Sequence, residues 1–226
     1  MRLVIFDFDG TIHLHETPRI FLKVLDRDDQ MRNKLIRFYA SVALLYVLYR
    51  FGLYRELVIK RILSGIARML RGMSAVQLDT FFMKCFEEAK DNFSLVSLNR
   101  LKAHLEYGDQ VLLLSGAFSP FLAIVAKELN IPCWLGTNLE LSAGVCTGRI
   151  ISPKIGNSKV QALDSFLTDQ KNLGLVFDMD KSYAYADAIQ DIPILSLVGH
   201  PVVVNPDSEL IKEAGRRGWE IIHDEN

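Results

Sequence analysis

The sequence predicts an α/β protein in which a parallel sheet is covered by helices and a helical block is inserted after the first strand. Short apolar runs alternate with helical segments in the second half of the chain. The block from Glu16 to Asp91 instead repeats apolar positions at helical spacing and contains a single proline, Pro18. With 226 residues, 50% of them hydrophobic, the chain can bury a core without a disulfide or metal staple.

Composition limits the partners and the compartment. The 26 basic and 27 acidic residues give a net charge of −1, which argues against a nucleic-acid partner. The odd, widely spaced cysteines Cys85, Cys133 and Cys146 favour a reducing compartment over a disulfide framework. Asp7 and Asp9 fall where a signal peptide would be apolar. We therefore expect a cytoplasmic protein.

The first half of the chain predicts one strand followed by helices. Leu3–Phe6 is a short apolar run that is typical of a buried parallel strand. Three or four helices follow, with breaks near residues 26–29, at Gly52 and at residues 72–74. Ser74 and Gln77 have the spacing of a capping box, which predicts a helix start.

The second half predicts alternating helices and strands. Gly108 ends one predicted helix, and Ser119 and Pro120 are expected to be the cap and first residue of another. The predicted elements are a helix at 95–107, a strand at 111–114, a strand and hairpin within 133–151, a helix at 158–167, strands at 182–186 and 202–204, and a helix at 207–217.

An apolar run, Phe38–Tyr49, lies within the helical block between Arg37 and Arg50. A membrane-spanning helix needs about 20 apolar residues, so this run is too short to span. One interpretation is a helix buried inside a helical domain. The alternative is a helix that contacts a membrane surface, or a lipid-like substrate, on the periphery of the inner membrane.

The pair Asp7 and Asp9 follows the first predicted strand and is the strongest local signal of chemistry. Ligands bind parallel sheets at the carboxyl ends of strands. Two neighbouring carboxylates repel each other unless a proton or cation offsets their charge, and Mg²⁺ prefers such oxygen ligands. A loop or capping role would explain an isolated pair equally well.

Further polar residues follow other predicted elements in order. Ser115 and Gly116 end a strand, where a hydroxyl and a backbone N–H can contact an anion. Lys159 lies near the start of a helix, and Asp187 and Asp191 follow another strand. A surface lysine and capping acids are the alternative interpretations of these residues.

Together, Asp7-Phe8-Asp9-Gly10-Thr11, Ser115, Lys159 and Asp187 with Asp191 resemble the four ordered motifs of the haloacid dehalogenase (HAD) superfamily. The helical insertion resembles the cap of the subfamily (IB) that contains phosphoserine phosphatase. The resemblance implies a Rossmann-like HAD core, at residues 1–14 and 94–226, and an all-helical cap at residues 15–93. From the point at which the helices are inserted, we expect that this cap opens and closes over the site.

The resemblance implies a Mg²⁺-dependent phosphatase acting on a small phosphomonoester. Asp7 is then the nucleophile that forms an aspartyl-phosphate, and Asp9 is the general acid and base. Gly10, Thr11, Ser115, Gly116 and Lys159 bind the phosphate. Asp7, the Asp9 carbonyl, Asp187 and Asp191 hold the metal ion.

Two segments depart from this pattern. Alanines flank Asp187, where the last motif often has a glycine before it and a small polar residue after it. The segment around Asp178 and Asp180 mimics the first motif without its Gly-Thr, which leaves these acids as alternative metal ligands. His13 and His15 are expected to be hinge residues of the cap and not a metal pair.

Substrate preference stays open at this stage. In the resemblance, Glu16 corresponds to an acid that binds a substrate amine, and Arg61 to an arginine that binds a carboxylate, which favours a substrate such as phosphoserine. A lipid phosphate such as phosphatidylglycerophosphate is the alternative suggested by Phe38–Tyr49. A non-catalytic module that binds a phosphorylated ligand is a third hypothesis. The oligomeric state is not predicted.

Overall fold

The structure is a computed structural model that describes residues 1–50 and 55–224, without the side chains of residues 44–50 and 55. Within these ranges the central feature is a seven-stranded sheet in the order β4-β3-β2-β1-β5-β6-β7. In chain order, the strands are β1 (Leu3–Phe6), β2 (Gln110–Phe118), β3 (Cys133–Ser142), β4 (Val145–Ser152), β5 (Tyr183–Ala186), β6 (His200–Val204) and β7 (Glu220–Ile222). The α-helices are α1 (Thr17–Asp26), α2 (Arg32–Arg50), α3 (Arg55–Met69), α4 (Ala75–Ala89), α5 (Leu95–Tyr107), α6 (Ser119–Glu128), α7 (Asn157–Asn172), α8 (Ile192–Leu195) and α9 (Ser208–Arg217).

The sheet is parallel apart from one edge. β1 lies at its centre and pairs in parallel with β2 and β5, with Val4 opposite Val111 on one side and Tyr183 on the other. β4 pairs antiparallel with β3, as the predicted hairpin requires. The predicted α/β class is confirmed, and the carboxyl ends of β1, β2 and β5 meet at the same edge.

The helical insertion begins after β1 and ends before β2, as predicted. A 3₁₀ helix at Asp29–Met31 separates α1 from α2, and Gly72 lies between α3 and α4. The break predicted at Gly52 lies outside the described residues. Ser74 caps α4 through the predicted capping box with Gln77, in which each side chain accepts a hydrogen bond from the other residue's backbone N–H.

Several boundaries differ from the predictions. β2 continues through Ser115 to Phe118, and its pairing with β3 shifts between Leu114 and Phe118. The strand therefore runs directly into α6, so Phe118 and not Ser119 occupies the N-cap position, without a side-chain cap hydrogen bond. α7 is longer than the predicted 158–167, and β7 was not predicted. β7 is only three residues long and starts with Glu220, so its sequence is too short to show a period.

The apolar run Phe38–Tyr49 lies in α2, and the structure describes the side chains of only its first part. Phe38 and Val42 are buried, and a Cβ added to Gly65 would lie 2.3 Å from the Phe38 ring, so the two helices pack closely there. Tyr39 is half exposed. The side chains of the rest of Phe38–Tyr49 lie outside the described residues. Among the described residues, we find no helix with the length and hydropathy needed to cross a bilayer.

The hydrophobic core occupies both faces of the sheet. On one face, the core continues from Phe6 through Phe118 into the inserted helices, where Phe21 stacks on Phe118 with ring centroids 5.4 Å apart. On the other face, Leu3 packs with Leu163 of α7. The insertion is therefore packed against the core above the carboxyl-end edge of the sheet.

Candidate active site

Adjacent strands bring two carboxylates to the same edge of the sheet. Asp7 directly follows β1, and its backbone N–H donates to the Tyr185 carbonyl of β5 at 2.9 Å. Asp187 directly follows β5. This parallel pairing explains why acids 180 residues apart in the chain become neighbours.

Lys159 joins two of the acids in a buried cluster. Its Nζ lies 2.8 Å from Asp7 Oδ2 and 2.6 Å from Asp191 Oδ1, and all three residues are buried. Burial alone would lower the pKa of Lys159, but the negative charges of Asp191 and Asp7 outweigh it and raise the pKa above its ordinary value. The lysine therefore stays charged beside Asp7.

Asp7, Asp187 and Asp191 each present a carboxylate oxygen within 4.8 Å of the others. Burial raises the pKa of Asp7 to about 7, with Lys159 opposing and Asp191 adding to the shift. Burial, Asp7 and Asp191 likewise raise the pKa of Asp187 well above its ordinary value. A single lysine does not neutralise three carboxylates, and an all-oxygen donor set of this kind suits a hard divalent cation such as Mg²⁺.

Gly10 is required by the position of Asp187. Its φ of +73° lies in the left-handed region, and a Cβ placed on it would be 2.0 Å from Asp187 Oδ2. Its N–H donates to the His13 carbonyl at 2.7 Å, which closes the turn after β1. Only glycine provides both the backbone conformation and the space for the carboxylate.

The Asp9 carboxylate lies apart from the three-acid cluster. Its Oδ1 accepts hydrogen bonds from both the N–H and the hydroxyl of Thr17, with the N–H at 2.8 Å. Burial raises the pKa of Asp9 to about 6, although the Thr17 hydrogen bonds lower it. The predicted metal role of Asp9 therefore does not extend to its carboxylate, because Thr17 at the start of α1 holds that group.

The predicted phosphate-binding residues do not all reach the same space. Ser115 and Gly116 line a cavity above the acids. The buried Ser115 Oγ accepts a hydrogen bond from the Ala117 N–H at 3.2 Å. Thr11 is fully buried and does not line the cavity, and its hydroxyl lacks a partner among the described residues. Its carbonyl accepts from the Ser97 hydroxyl, so the residue fixes the loop from behind.

A cavity of about 560 Å³ opens above the acids and is closed on the far side by the inserted helices. Glu16 from the start of α1 and Ile59 and Ile62 from α3 line it. Arg61, on the same helix, is exposed and lies outside the lining, because it points away from the side that Ile59 and Ile62 present. Lining residues that the sequence did not single out are Arg19, Lys154, Gln190 and Asp207. Arg19, Lys154 and Gln190 lie near predicted site residues in the chain, whereas Asp207 had no such signal.

The alternative acids and His13 lie outside the cavity lining, whereas His15 is one of the lining residues. The Asp178 N–H donates to the Met1 carbonyl at 2.9 Å, which puts this segment at the amino end of β1, opposite the cavity. Asp178 pairs with Lys181 at 3.1 Å. His13 is buried with its ring stacked on Phe8 at 5.6 Å, and burial lowers its pKa, so it is a packed neutral ring.

Comparisons with known proteins agree with this arrangement. A family model described as haloacid dehalogenase-like hydrolase matches residues 4–196. A phosphoserine phosphatase of Mycobacterium tuberculosis is 38% identical over 119 residues, which cover 52% of this chain and 37% of the relative. A histidinol-phosphatase of Neisseria meningitidis is 34% identical over 125 residues, covering 54% and 55% of the two chains. The chain thus spans between about a third and about half of the length of these curated relatives.

A solved structure resembles the whole chain. A protein of unknown function from Bordetella pertussis matches with a TM-score of 0.82 and 25% identity, covering 98% of this chain and 97% of its own. The inserted helices are therefore part of a fold that recurs as a unit.

Proposed function

Because the chain belongs to the haloacid dehalogenase-like hydrolase family, we propose that it is a phosphatase that hydrolyses a small phosphomonoester through an aspartyl-phosphate on Asp7. One observation carries this proposal. Asp7 is buried at a strand end, ion-paired to Lys159 and within 4.8 Å of the carboxylates of Asp187 and Asp191. Phosphoryl transfer requires positive charge beside the phosphoryl oxygens, and this site offers a lysine together with carboxylates that can bind a cation.

In the first step, a carboxylate oxygen of Asp7 attacks phosphorus, and the bond from phosphorus to the ester oxygen breaks. Asp9 gives its proton to the leaving oxygen, so an alcohol departs and the phosphoryl group stays on Asp7. In the second step, Asp9 takes a proton from water as that water attacks phosphorus, and Asp7 is released with inorganic phosphate. The pKa of Asp9, raised to about 6, suits both roles near neutral pH.

Lys159, Ser115 and Gly116 bind the phosphoryl oxygens in this proposal, since all three line the cavity beside Asp7. Lys159 also opposes the rise that burial causes in the pKa of Asp7 and thus favours its ionised form. Asp7, Asp187 and Asp191 would hold Mg²⁺, with the Asp9 carbonyl as a further ligand. The ion would neutralise the phosphate and the mutually repelling carboxylates.

The chain divides, in this proposal, into a catalytic core at residues 1–14 and 94–226 and a cap at residues 15–93. The cap contributes Glu16, Ile59 and Ile62 to the cavity wall. Substrate preference in this proposal therefore depends on cap residues as well as on the core residues Lys154, Gln190 and Asp207.

The substrate class we propose is a phosphorylated amino alcohol such as phosphoserine. The two curated relatives are named for phosphoserine and histidinol phosphate, and both compounds bear an amine next to the phosphorylated CH₂O group. Glu16 lines the cavity and is the group we assign to that ammonium. Arg61 lies outside the lining, so a substrate carboxylate needs another partner, and Arg19 lines the cavity.

The two alternatives receive less support. The described part of the apolar run includes Phe38 and Val42 packed inside the insertion, which removes part of the reason for a lipid substrate. A non-catalytic binding module would be expected to lack one of the motif acids, and Asp7, Asp9 and Asp187 are all present.

The test is phosphate release with Mg²⁺ from p-nitrophenyl phosphate, phosphoserine, histidinol phosphate and phosphatidylglycerophosphate in detergent. We expect release that EDTA abolishes and that Asp7→Asn lowers by at least about 10³-fold. Asp180→Asn is the matched control, because Asp180 is an exposed acid of the motif-like segment at the opposite edge. Undiminished turnover in Asp7→Asn would overturn the mechanism, and a preference for the lipid phosphate would overturn the substrate class.

A further inference from the structure

The basic residues of the chain are concentrated in one segment. Residues 32–71, which contain α2 and α3, hold nine lysines and arginines and a single acidic residue, Glu56. The chain as a whole has a net charge of −1, so the remainder carries an excess of acidic residues. Among the described side chains, Arg32, Lys34 and Arg37 of α2 and Arg61 and Arg68 of α3 are exposed, so these helices carry local positive charge on a protein that is nearly neutral.

Apolar side chains stand among these charges. On α2, Ile36 and Tyr39 are 60% and 49% exposed, Arg32 lies one turn before Ile36, and Lys34 and Arg37 are exposed on the same helix. On α3, Leu57 is 58% exposed. In the part of α2 whose side chains are described, Leu35, Phe38 and Val42 face the core, and Ile36 and Tyr39 do not.

The single acidic residue of the segment does not neutralise the surface. Glu56 pairs with Lys60 at 2.5 Å on its own helix, and its carboxylate lies beside Gly156 of the core. One pair of this kind leaves Arg32, Lys34 and Arg37 of α2 facing solvent.

We infer that α2 and α3 form a surface that docks on an anionic lipid bilayer. Cationic side chains mixed with exposed apolar and aromatic ones match the headgroup region, where lipid phosphates meet acyl chains. A nucleic-acid backbone would attract the cationic side chains, but it offers no apolar region for Ile36 and Leu57 to contact.

The docked surface would adjoin the cavity, because Ile59 and Ile62 of α3 line it. Binding to a bilayer would therefore place the cavity close to the lipid surface without a membrane-spanning segment. This inference is independent of the proposed phosphatase chemistry, since none of the exposed residues involved lies among the acids or Lys159.

Co-sedimentation of the full chain with vesicles tests the inference. We expect binding to phosphatidylcholine vesicles that contain phosphatidylglycerol, weak binding to phosphatidylcholine alone, and loss of binding at high salt. The double variant Lys34→Glu with Arg37→Glu should bind at least ~25-fold more weakly, at about fivefold for each basic residue removed. Lys127→Glu with Lys212→Glu makes the same charge change at exposed positions of α6 and α9 and should retain binding.

A second variant separates lipid contact from charge alone. Ile36→Ser with Tyr39→Ser leaves the charge unchanged and should also weaken vesicle binding. Hydrolysis of p-nitrophenyl phosphate and the circular dichroism spectrum should stay unchanged in every variant. The inference is overturned if the chain does not sediment with anionic vesicles, if both charge variants bind equally, or if double-stranded DNA binds more tightly than the vesicles.

Discussion

At the scale of single residues, the proposed acid Asp9 is held by the first residue of the inserted helices. The N–H and hydroxyl of Thr17 both donate to the same oxygen, Asp9 Oδ1. These bonds favour the ionised carboxylate and thus lower the pKa that burial raises. Thr17 is a positioning residue in this proposal, since it acts on substrate only through Asp9.

Thr17→Val should lower kcat about tenfold for an alkyl phosphate such as phosphoserine, because a general acid contributes 10²–10⁴-fold only when it is well placed. The loss should be smaller for p-nitrophenyl phosphate, whose leaving group needs little protonation. The proton donor is lost as pH rises above the Asp9 pKa, so kcat/KM for the alkyl phosphate should fall above about pH 6. Removing the Thr17 bonds raises that pKa, so the falling limb should move to higher pH.

The matched control is Thr168→Val, because Thr168 is an exposed threonine of α7 whose hydroxyl bonds only within its own helix at the Asp164 carbonyl. Rate–pH profiles with both substrates distinguish positioning from stability. Equal losses on the two substrates with an unmoved profile would contradict the assignment of Thr17.

The sequence predicted the acids and lysine that the fold brings together because each follows a strand or starts a helix. Asp7, Lys159, Asp187 and Asp191 are of this kind, and the meeting of Asp7 with Asp187 follows from the parallel pairing of β1 with β5. The contact of Thr17 with Asp9 and the outward position of Arg61 depend on how the inserted helices dock. No local pattern of the chain encodes that docking.

At the scale of elements, the β3–β4 hairpin binds the insertion to the core. The Gly72 N–H donates to the Cys146 carbonyl at 2.9 Å, and the Cys146 N–H donates to the Met73 carbonyl at 2.8 Å. The Ala75 N–H donates to the Gly144 carbonyl at 3.0 Å. A cap that opens, as the insertion point predicts, must break these bonds or carry the hairpin with it.

Gly148→Ala should loosen this attachment. Gly148 has a φ of +81°, and a Cβ on it would lie 3.2 Å from the Arg68 Cα and 3.3 Å from the Ala67 carbonyl of α3. We expect roughly tenfold faster hydrogen exchange at the amides of Gly72 and Cys146, since a loss of about 1.4 kcal/mol in local opening gives a tenfold change.

Gly174→Ala is the control for backbone strain, because Gly174 has a φ of +83° and open space around its Cβ position. It should lose similar global stability without faster exchange at the hairpin contacts. Unchanged exchange in Gly148→Ala, measured by mass spectrometry under native conditions, would show that the hairpin does not hold the insertion.

The sequence predicted well those elements whose ends carry a capping or turn residue. Gly108 ends α5 in the left-handed conformation, at the boundary expected from the sequence. The predicted boundary between β2 and α6 was wrong. Ser115 and Gly116 resemble a strand end, but pairing with β3 extends the strand to Phe118. Pairing partners are distant in the chain, so such a boundary has no local signal.

At the scale of the whole molecule, the buried acids make stability depend on pH and on metal. The pKa of Asp187 is raised in the folded protein, so the folded state holds a proton that the unfolded chain releases near pH 4. Above that pH the folded state binds more protons than the unfolded state, and the contribution of Asp187 to stability falls as pH rises towards its folded pKa. Without metal, the site therefore opposes folding most strongly at neutral pH and above.

Asp187→Asn tests this linkage, because asparagine stays neutral at every pH. Without metal, its free energy of unfolding relative to the wild type should rise as the pH rises above about 4.

Mg²⁺ needs the deprotonated carboxylates, so it should stabilise the wild type more at pH 7.5 than at pH 5. At a hundredfold excess over its Kd, Mg²⁺ adds about 2.7 kcal/mol, which raises the Tm by about 5–10 °C for a chain of this size. Calorimetry should find that increase in Asp180→Asn but not in Asp187→Asn. An increase that is equal at both pH values, or that survives in Asp187→Asn, would mean that Mg²⁺ binds away from the three acids.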